Sequence, residues 1–417
     1  MSGGEVSKPD TKGAKLLLIM IGLGFVFGIV SGYLVNVTAP TAVATQLADW
    51  FKALGDIFVR LIRVIIPLLI FFTIAAATSS IASGRTLGKL LVLILVIYIG
   101  TSALAVLWGI LAGQMFMPGI SVGLQAPKDY KPPSPPTGID VLLSFFQTDF
   151  NLLLAVGGSM TMIIFAIILG VSTVLLGEEG RKVSNYLSLA SKITISFVRV
   201  VMYYAPIAVF SYAAWLMIRY GPAMLGAYAK FILAQYSFSI FHLIVIYAII
   251  VMLGGLNPMK YFKAQATPFM IAFTTRSSAV TLPYNIEAAK KIGISDEVYG
   301  ITLPLGATVN MDGTALYQAL SAMFIAQLFG ITLTPFHISL LILAAVIGSV
   351  ATAAIPGGGT IMLAYVLSVV GLPLEGIGIM LVVDPITDAM RTAINVSGDN
   401  ASTVLISKLA GYKLRQS

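Results

Sequence analysis

Long apolar runs separated by short polar connections fill the chain, and their lengths set its architecture. A helix crossing a hydrocarbon core of ~30 Å needs about 20 predominantly apolar residues. Runs of that kind lie at 16–35, 48–82, 88–116, 141–177, 189–218, 225–255, 297–329 and 377–407, and predict eight spanning helices. Several exceed the minimum, which implies tilt or an amphipathic extension. The stretch 50–63 (WFKALGDIFVRLIR) alternates charged and apolar faces and is expected to lie partly in the interface.

Two apolar stretches do not fit as simple spans. Residues 258–293 hold an apolar arm (AQATPFMIAF), the polar tip Thr275-Arg276-Ser277-Ser278 and a second arm. Residues 338–371 hold LLILAAVIGSV, the tip ATAAIPGGG and TIMLAYVLSVV. Arms of about ten residues are too short to cross, and Pro356-Gly357-Gly358-Gly359 breaks a helix at its centre. Broken backbone at membrane depth is tolerated only against protein or water. Both stretches therefore read as re-entrant hairpins whose tips meet near the midplane. The alternative for 338–371 is one kinked span, which would put the C-terminus outside.

Charge then orients the helices. Lys8, Lys12 and Lys15 precede the first span, Arg85 and Lys89 follow the second, and Arg181 and Lys182 the fourth. Lys260 and Lys263 follow the sixth, and Lys408, Lys413 and Arg415 the last, whereas 36–47 and 330–338 carry no Lys or Arg. Both termini are thus expected in the cytoplasm, the membrane being the cell (inner) membrane. The Pro-rich segment 127–136 (PKDYKPPSPP) is the exception and reads as an extended external loop.

Composition agrees with lipid as the solvent: 58% of the 417 residues are hydrophobic and 10% charged, against about 25% charged in soluble domains. The net charge of +8 sits in short groups between apolar runs and forms no block or stripe, so no nucleic-acid partner is expected. Cysteine is absent, which excludes a disulfide framework, a thiolate metal site and a Cys nucleophile. The polar N-terminus has no clear small-residue cleavage site after the first run, which reads as a retained span. The sequon Asn36-Val37-Thr38 is taken as chance, and Gly22-x-Gly24 as helix packing.

The chemistry concentrates in the last span. Asp384, Asp388, Arg391, Asn395 and Asp399 are spaced by 4, 3, 4 and 4 residues, which makes one helical stripe. Each charge at mid-bilayer costs about 2.5–3.5 kcal/mol, so such a stripe is poor structural filler. An internal ladder from Asp388 to Arg391 is the structural alternative. It leaves three carboxylates against one arginine, a deficit that metal cations or a substrate ammonium would fill. A second cluster, Gly306-Ala307-Thr308-Val309-Asn310-Met311-Asp312-Gly313-Thr314, interrupts the seventh span. Unwinding there frees carbonyls that, with a carboxylate, suit a hard cation such as Na⁺. Tyr98, Thr101 and Ser102 share a face of the third span, where interhelical hydrogen bonding is the ordinary role. Arg276 is either a gate or an interfacial arginine, and the isolated His242 and His337 are assigned no metal.

Together these motifs resemble the dicarboxylate/amino acid:cation symporters, the family of the excitatory amino acid transporters and the archaeal aspartate transporters. The carrying residues are Thr275-Arg276-Ser277-Ser278, Asn310-Met311-Asp312-Gly313-Thr314, Ile355-Pro356-Gly357-Gly358-Gly359 and Asp388-x-x-Arg391-Thr392-x-x-Asn395-Val396-x-Gly398-Asp399. The resemblance implies an all-α polytopic membrane protein, eight transmembrane helices plus two re-entrant helical hairpins, assembled as a homotrimer. It divides the chain into scaffold (1–87 and 121–222) and transport domain (88–120 and 223–417), the latter moving as an elevator. It implies that Arg391 pairs the substrate side-chain carboxylate and that Asp388 accepts its ammonium. Asn395 and the backbone near Ser278 hold the α-carboxylate, while Thr314, Thr392, Ile355 and Gly359 close around the side chain, with Arg276, Pro356 and Gly357 at the gate. About three sodium sites are implied. One uses Asp399 with carbonyls of Gly306, Asn310 and Asn395. Another uses backbone of Thr308, Ser349, Val350 and Thr352. The last uses Tyr98, Thr101, Ser102, Asn310 and Asp312.

Within the resemblance, Arg391 argues against neutral amino acid exchange and Asp388 against C4-dicarboxylates, which lack an ammonium. Gln318 stands where proton- and potassium-coupled members carry Glu, so coupling to sodium alone is expected. Arg276 with Ala389 beside Asp388 resembles the archaeal arrangement. L-Aspartate over L-glutamate is the expected preference, with a glutamate or C4-dicarboxylate carrier as the alternative. An anion channel, from another class, has no need of Asp388 beside Arg391. An intramembrane aspartyl protease is disfavoured because Arg391 holds neighbouring carboxylates ionised, and no enzyme is expected. Pro385 within the last span, Ala279-Val280 in the first tip, and Ala354 and Gly358 in the second depart from the family pattern and bear on gate geometry.

Overall fold

The computed structural model of the chain describes residues 11–79, 85–120, 122–124, 159–352 and 357–414. No strand occurs among the described residues. The helices are α1 (Thr11–Thr38), α2 (Thr41–Ser79), α3 (Arg85–Phe116), α4 (Ser159–Leu175), α5 (Gly177–Met202), α6 (Ala205–Tyr220) and α7 (Pro222–Phe241). A π-turn (His242–Ile246) joins α7 to α8 (Tyr247–Leu253). Then come α9 (Pro258–Thr275), α10 (Ser278–Ile292), α11 (Asp296–Val309), α12 (Asp312–Leu328), α13 (Pro335–Val350), α14 (Gly358–Val370) and α15 (Gly376–Ala410). The Pro-rich loop at 127–136 and the first part of the fourth expected span lie outside the described residues.

Length and apolar composition mark four described helices as able to cross a membrane: Ile19–Thr38, Thr41–Ala76, Leu90–Phe116 and Pro222–Leu253. A fifth is counted if α5 and α6, bent by 53° at their junction, form one span. The eight spans expected from the sequence exceed this number for identifiable reasons. The seventh is split into α11 and α12, and α15 carries the charged stripe. The span expected at 189–218 is the bent pair, broken because Pro206 has no N–H to continue α5. Pro385, by contrast, leaves α15 helical from Gly376 to Ala410.

Packing falls around two helices. α1 runs along α6, and α2 packs on α4, α5 and α6. α15 packs on α3, α6, α7, α8, α9, α10, α11, α12 and α14, with α3 lying along α12. The α1–α6 approach is as close as backbones allow. A Cβ on Gly24 would come within 2.6 Å of the Pro206 carbonyl oxygen, one on Gly32 within 2.5 Å of that of Ala214, and one on Gly28 would strike that of Phe210. Small residues four apart permit such contact between lipid-facing helices. Gly22 faces open space, so the glycine packing face is Gly24, Gly28 and Gly32 rather than the pair at 22 and 24. Asn36 Nδ2 donates to the Ile218 carbonyl at 2.7 Å in the same interface.

Both expected hairpins are present as paired helices. α9 and α10 pack on each other around a two-residue turn in which Arg276 takes a left-handed φ of 53° and Ser277 caps α10. α13 and α14 pair likewise. α13 is opened by a capping box in which Thr334 and His337 bond each other's backbone, which gives His337 a structural role. α14 starts from Gly357 at φ 79°, where a side chain would be strained. Ala353, Ala354, Ile355 and Pro356 lie outside the described residues.

Candidate functional site

α15 presents its stripe inward, and Asp384, Asp388, Arg391, Asn395 and Asp399 are all buried. Arg391, 1% exposed, is held by two carboxylates. Its Nη2 donates to Asp388 Oδ1 at 2.5 Å and to Asp384 Oδ1 at 3.0 Å, and its Nε to Asp388 Oδ1 at 3.1 Å. The guanidinium carbon lies 4.3 Å from the Tyr317 ring centroid, a favourable cation–π placement. Nη1 has no hydrogen-bond partner among the described residues.

The second hairpin completes this arrangement. The Thr360 hydroxyl donates to Asp384 Oδ1 and lies 2.7 Å from the Tyr317 hydroxyl. The Gly357 N–H donates to Asp388 Oδ2 at 3.2 Å. The first hairpin reaches the same helix, Arg276 Nη1 donating to the Pro385 carbonyl at 3.0 Å. Arg276, Ser278, Thr314, Gly359, Asp388, Arg391, Thr392 and Asn395 line one small cleft, together with Met311 and Thr352. All of the expected substrate-binding residues that are described meet there; Ile355 and the gate residue Pro356 are not among them. Asp388, Arg391 and Arg276 line the cleft, and Asp384 beside it also holds Arg391. The salt-bridge ladder weighed from the sequence is present, running from Asp388 and Arg391 in the cleft lining to Asp384 beside it.

The α11–α12 break lies directly beneath. Asn310 and Met311 leave helical geometry (ψ 90° and 49°) and α12 restarts at Asp312. A restarted helix exposes unpaired N–H groups. Here those of Gly313 and Thr314 donate to Asn395 Oδ1 at 2.8 and 3.3 Å. Asn395 Nδ2 in turn donates to Thr314 Oγ at 3.1 Å, so α15 holds the break open at the cleft floor.

The uncompensated charge is deeper. Asp312 Oδ1 accepts from Thr101 Oγ at 3.0 Å and Ser102 Oγ at 2.9 Å, and Oδ2 from the Tyr247 hydroxyl at 2.9 Å. Asp399 Oδ1 accepts from Asn310 Nδ2 at 3.0 Å. Asn310 and the Tyr247 hydroxyl both crowd Gly398, where a Cβ would meet them at 2.7 and 2.5 Å. Among the described residues no Lys or Arg pairs with Asp312 or Asp399. Asn310 Oδ1 is buried without a partner among the described residues. Two buried carboxylates, an orphaned amide oxygen and a non-helical turn form an all-oxygen donor set suited to a hard monovalent cation. Tyr98 departs from Thr101 and Ser102: its hydroxyl donates to the Thr302 carbonyl at 3.0 Å and approaches Gly306 on the Asp399 side. In the remaining expected set, Thr308 is exposed and bonds its own helix. Ser349 and Thr352 are buried, Val350 is half-buried, and α13 packs on α11.

Three neighbours escaped the sequence reading. Tyr317 stacks on Arg391, and Tyr247 bonds Asp312 from a helix 65 positions upstream. His242, at the start of the π-turn, is fully buried with Nε2 3.5 Å from Asp312 Oδ2. An isolated His in an apolar run gives no such signal; only the long-range fold brings it to Asp312.

Residues 16–409 match the model of the sodium:dicarboxylate symporter family. The chain is 28% identical over 406 residues to a proton/sodium-glutamate symport protein of Bacillus subtilis (strain 168), covering 95% of this chain and 93% of that protein. It is 30% identical over 399 residues to a C4-dicarboxylate transport protein of Rhodopseudomonas palustris (strain BisB18), covering 94% of this chain and 87% of that one.

Proposed function

Because this chain belongs to the sodium:dicarboxylate symporter family, we propose that it takes up an acidic amino acid, L-aspartate in preference to L-glutamate, together with sodium ions. It is a multi-pass membrane symporter and not an enzyme. The observation that carries the substrate reading is the buried pairing of Asp388 with Arg391 in one cleft. A doubly acidic zwitterion needs both an anion for its ammonium and a guanidinium for a carboxylate, and each charge is costly to bury without such a use.

In this reading the substrate's side-chain carboxylate takes up Arg391, whose Nη1 still has bonding capacity, and its ammonium replaces part of the Arg391 charge on Asp388. Asn395, Thr314 and Thr392 line the remainder. Sodium ions are cargo, three in number, held by Asp399 with Gly306, Asn310 and Asn395, by Thr308, Ser349, Val350 and Thr352, and by Asp312 with Asn310, Thr101 and Ser102. Binding lowers the repulsion between Asp312 and Asp399 and fixes the α11–α12 turn, which Asn395 ties to the cleft. Only a loaded, neutralised site crosses cheaply. We assign α3 and α7–α15 to a group that moves as an elevator against α1, α2 and α4–α6; most of its helices pack on α15, which also touches α6. A homotrimer in the inner membrane with both termini cytoplasmic completes the proposal.

A C4-dicarboxylate carrier is the second reading. Arg276 and Arg391 both line the cleft, and two guanidiniums match two carboxylates. Uptake of labelled aspartate, glutamate and succinate into proteoliposomes under imposed Na⁺, H⁺ or K⁺ gradients separates the two. Aspartate accumulation driven by Na⁺ alone supports the proposal. Succinate accumulation without aspartate competition supports the second reading, and unsaturable flux indifferent to sodium points to a channel.

A further inference from the structure

Outside the cleft, under the first hairpin, three side-chain amides meet. Gln265 comes from α9, Asn285 from α10 and Asn400 from α15, and none is more than 3% exposed. Asn400 Nδ2 donates to Gln265 Oε1 at 2.9 Å and to Asn285 Oδ1 at 2.8 Å, and Gln265 Nε2 to Asn285 Oδ1 at 3.1 Å. Buried amides carry a desolvation cost that only such mutual bonding offsets.

The cluster determines which way Asn285 points. Its oxygen receives two N–H donors, so reversing the amide would set donor against donor. The Asn285 N–H groups must therefore face α15. There Nδ2 donates to the Val396 carbonyl at 3.0 Å and to Asp399 Oδ2 at 3.4 Å. The two oxygens of Asp399 are thus held by two amides: Oδ1 by Asn310 from the α11–α12 break, Oδ2 by Asn285 from the first hairpin. A carboxylate oxygen has two lone-pair directions, so one amide contact on each oxygen orients the carboxylate and leaves room for a cation.

We propose that Asn285, oriented by the Gln265 donor and the Val396 carbonyl, is a positioning residue that holds the Asp399 carboxylate ready for a sodium ion and so ties the first hairpin to the cation site. This rests on the reading of Asp399 as a cation ligand.

The test is the sodium dependence of aspartate uptake in proteoliposomes, with thermal unfolding in detergent, for Asn285→Leu, Asn400→Leu and Asp399→Asn. Asn285→Leu removes a bond to a charged group and is expected to raise the half-saturating Na⁺ concentration about tenfold, with the rate at saturating Na⁺ within about twofold of wild type. Asn400→Leu breaks the cluster but leaves Gln265 to orient Asn285. It is expected to lower the melting temperature while keeping half-saturating Na⁺ within about twofold. An unshifted Asn285→Leu, or an Asn400→Leu shift as large, overturns the positioning role and leaves the cluster a structural clamp. Should Asn285→Leu not fold, Asn285→Ser carries the same test, with a shift of about threefold or more expected. Asp399→Asn separates the two levels: wild-type sodium dependence there sinks the cation-ligand reading itself, whereas a sodium defect in Asp399→Asn without one in the Asn285 variants sinks this proposal alone.

Discussion

The backbone of Gly359 lies directly against the guanidinium of Arg391: a Cβ at 359 would sit 2.9 Å from Cζ and 3.1 Å from both Nε and Nη1. The start of α14 is therefore in van der Waals contact with the group proposed to hold the substrate carboxylate. Glycine at 359 is a requirement of that contact. Gly359→Ala should displace Arg391 or the hairpin, at about 1–3 kcal/mol of overpacking. The expected result is a rise of tenfold or more in the aspartate concentration for half-maximal uptake, at unchanged expression. An unaltered value would mean that α14 does not bear on the site.

Asp388 separates an amino acid from a plain dicarboxylate. Asp388→Asn keeps the shape and removes the charge that an ammonium would meet. A charge-assisted contact contributes about 1.5–3 kcal/mol, so aspartate binding is expected to weaken up to about 100-fold. Inhibition by succinate should be little changed. Competition assays on the purified variant measure both, and equal loss for both ligands would remove Asp388 from ammonium recognition.

Asp312 is held by three hydroxyls and no Lys or Arg among the described residues. Asp312→Asn should raise half-saturating Na⁺ tenfold or more. Ser102→Ala, which removes a single hydroxyl, should raise it about three- to tenfold. Sodium titration of aspartate binding reads both.

Gly28 tests the fold rather than the site. Its α-carbon abuts the Phe210 carbonyl of α6, so Gly28→Val must push α1 from α6. A loss of about 1–3 kcal/mol is expected, read as a lowered unfolding temperature in detergent, with half-saturating Na⁺ unchanged in the protein that remains folded.

Much of this architecture was legible in the sequence, and for physical reasons. Arms too short to span and tips rich in glycine and polar residues gave both hairpins. Asn310-Met311 between Gly306 and Gly313 gave the break in the seventh span, because a polar, glycine-flanked stretch interrupts an otherwise apolar helix. Spacing placed Asp384, Asp388, Arg391, Asn395 and Asp399 on one stripe, and all are buried together. The partition of charge along that stripe was less visible. The ladder treated as the structural alternative holds Arg391 to both Asp384 and Asp388, and the unpaired negative charge resides on Asp399 and Asp312. Spacing tells which side chains share a face, not which of them close on one another. The π-turn that sets His242 beside Asp312 carries no mark of its own in an apolar run. The cluster of Gln265, Asn285 and Asn400 joins residues 20, 115 and 135 positions apart. Each alone reads as an ordinary polar residue near a helix face.

Arg391 is proposed to serve the substrate, and Asp312 and Asp399 to serve sodium. Sodium and aspartate binding to Arg391→Ala, measured separately in detergent, tests this most directly. The expected result is that acidic substrate no longer binds while sodium still does. Wild-type aspartate affinity in that variant would contradict it.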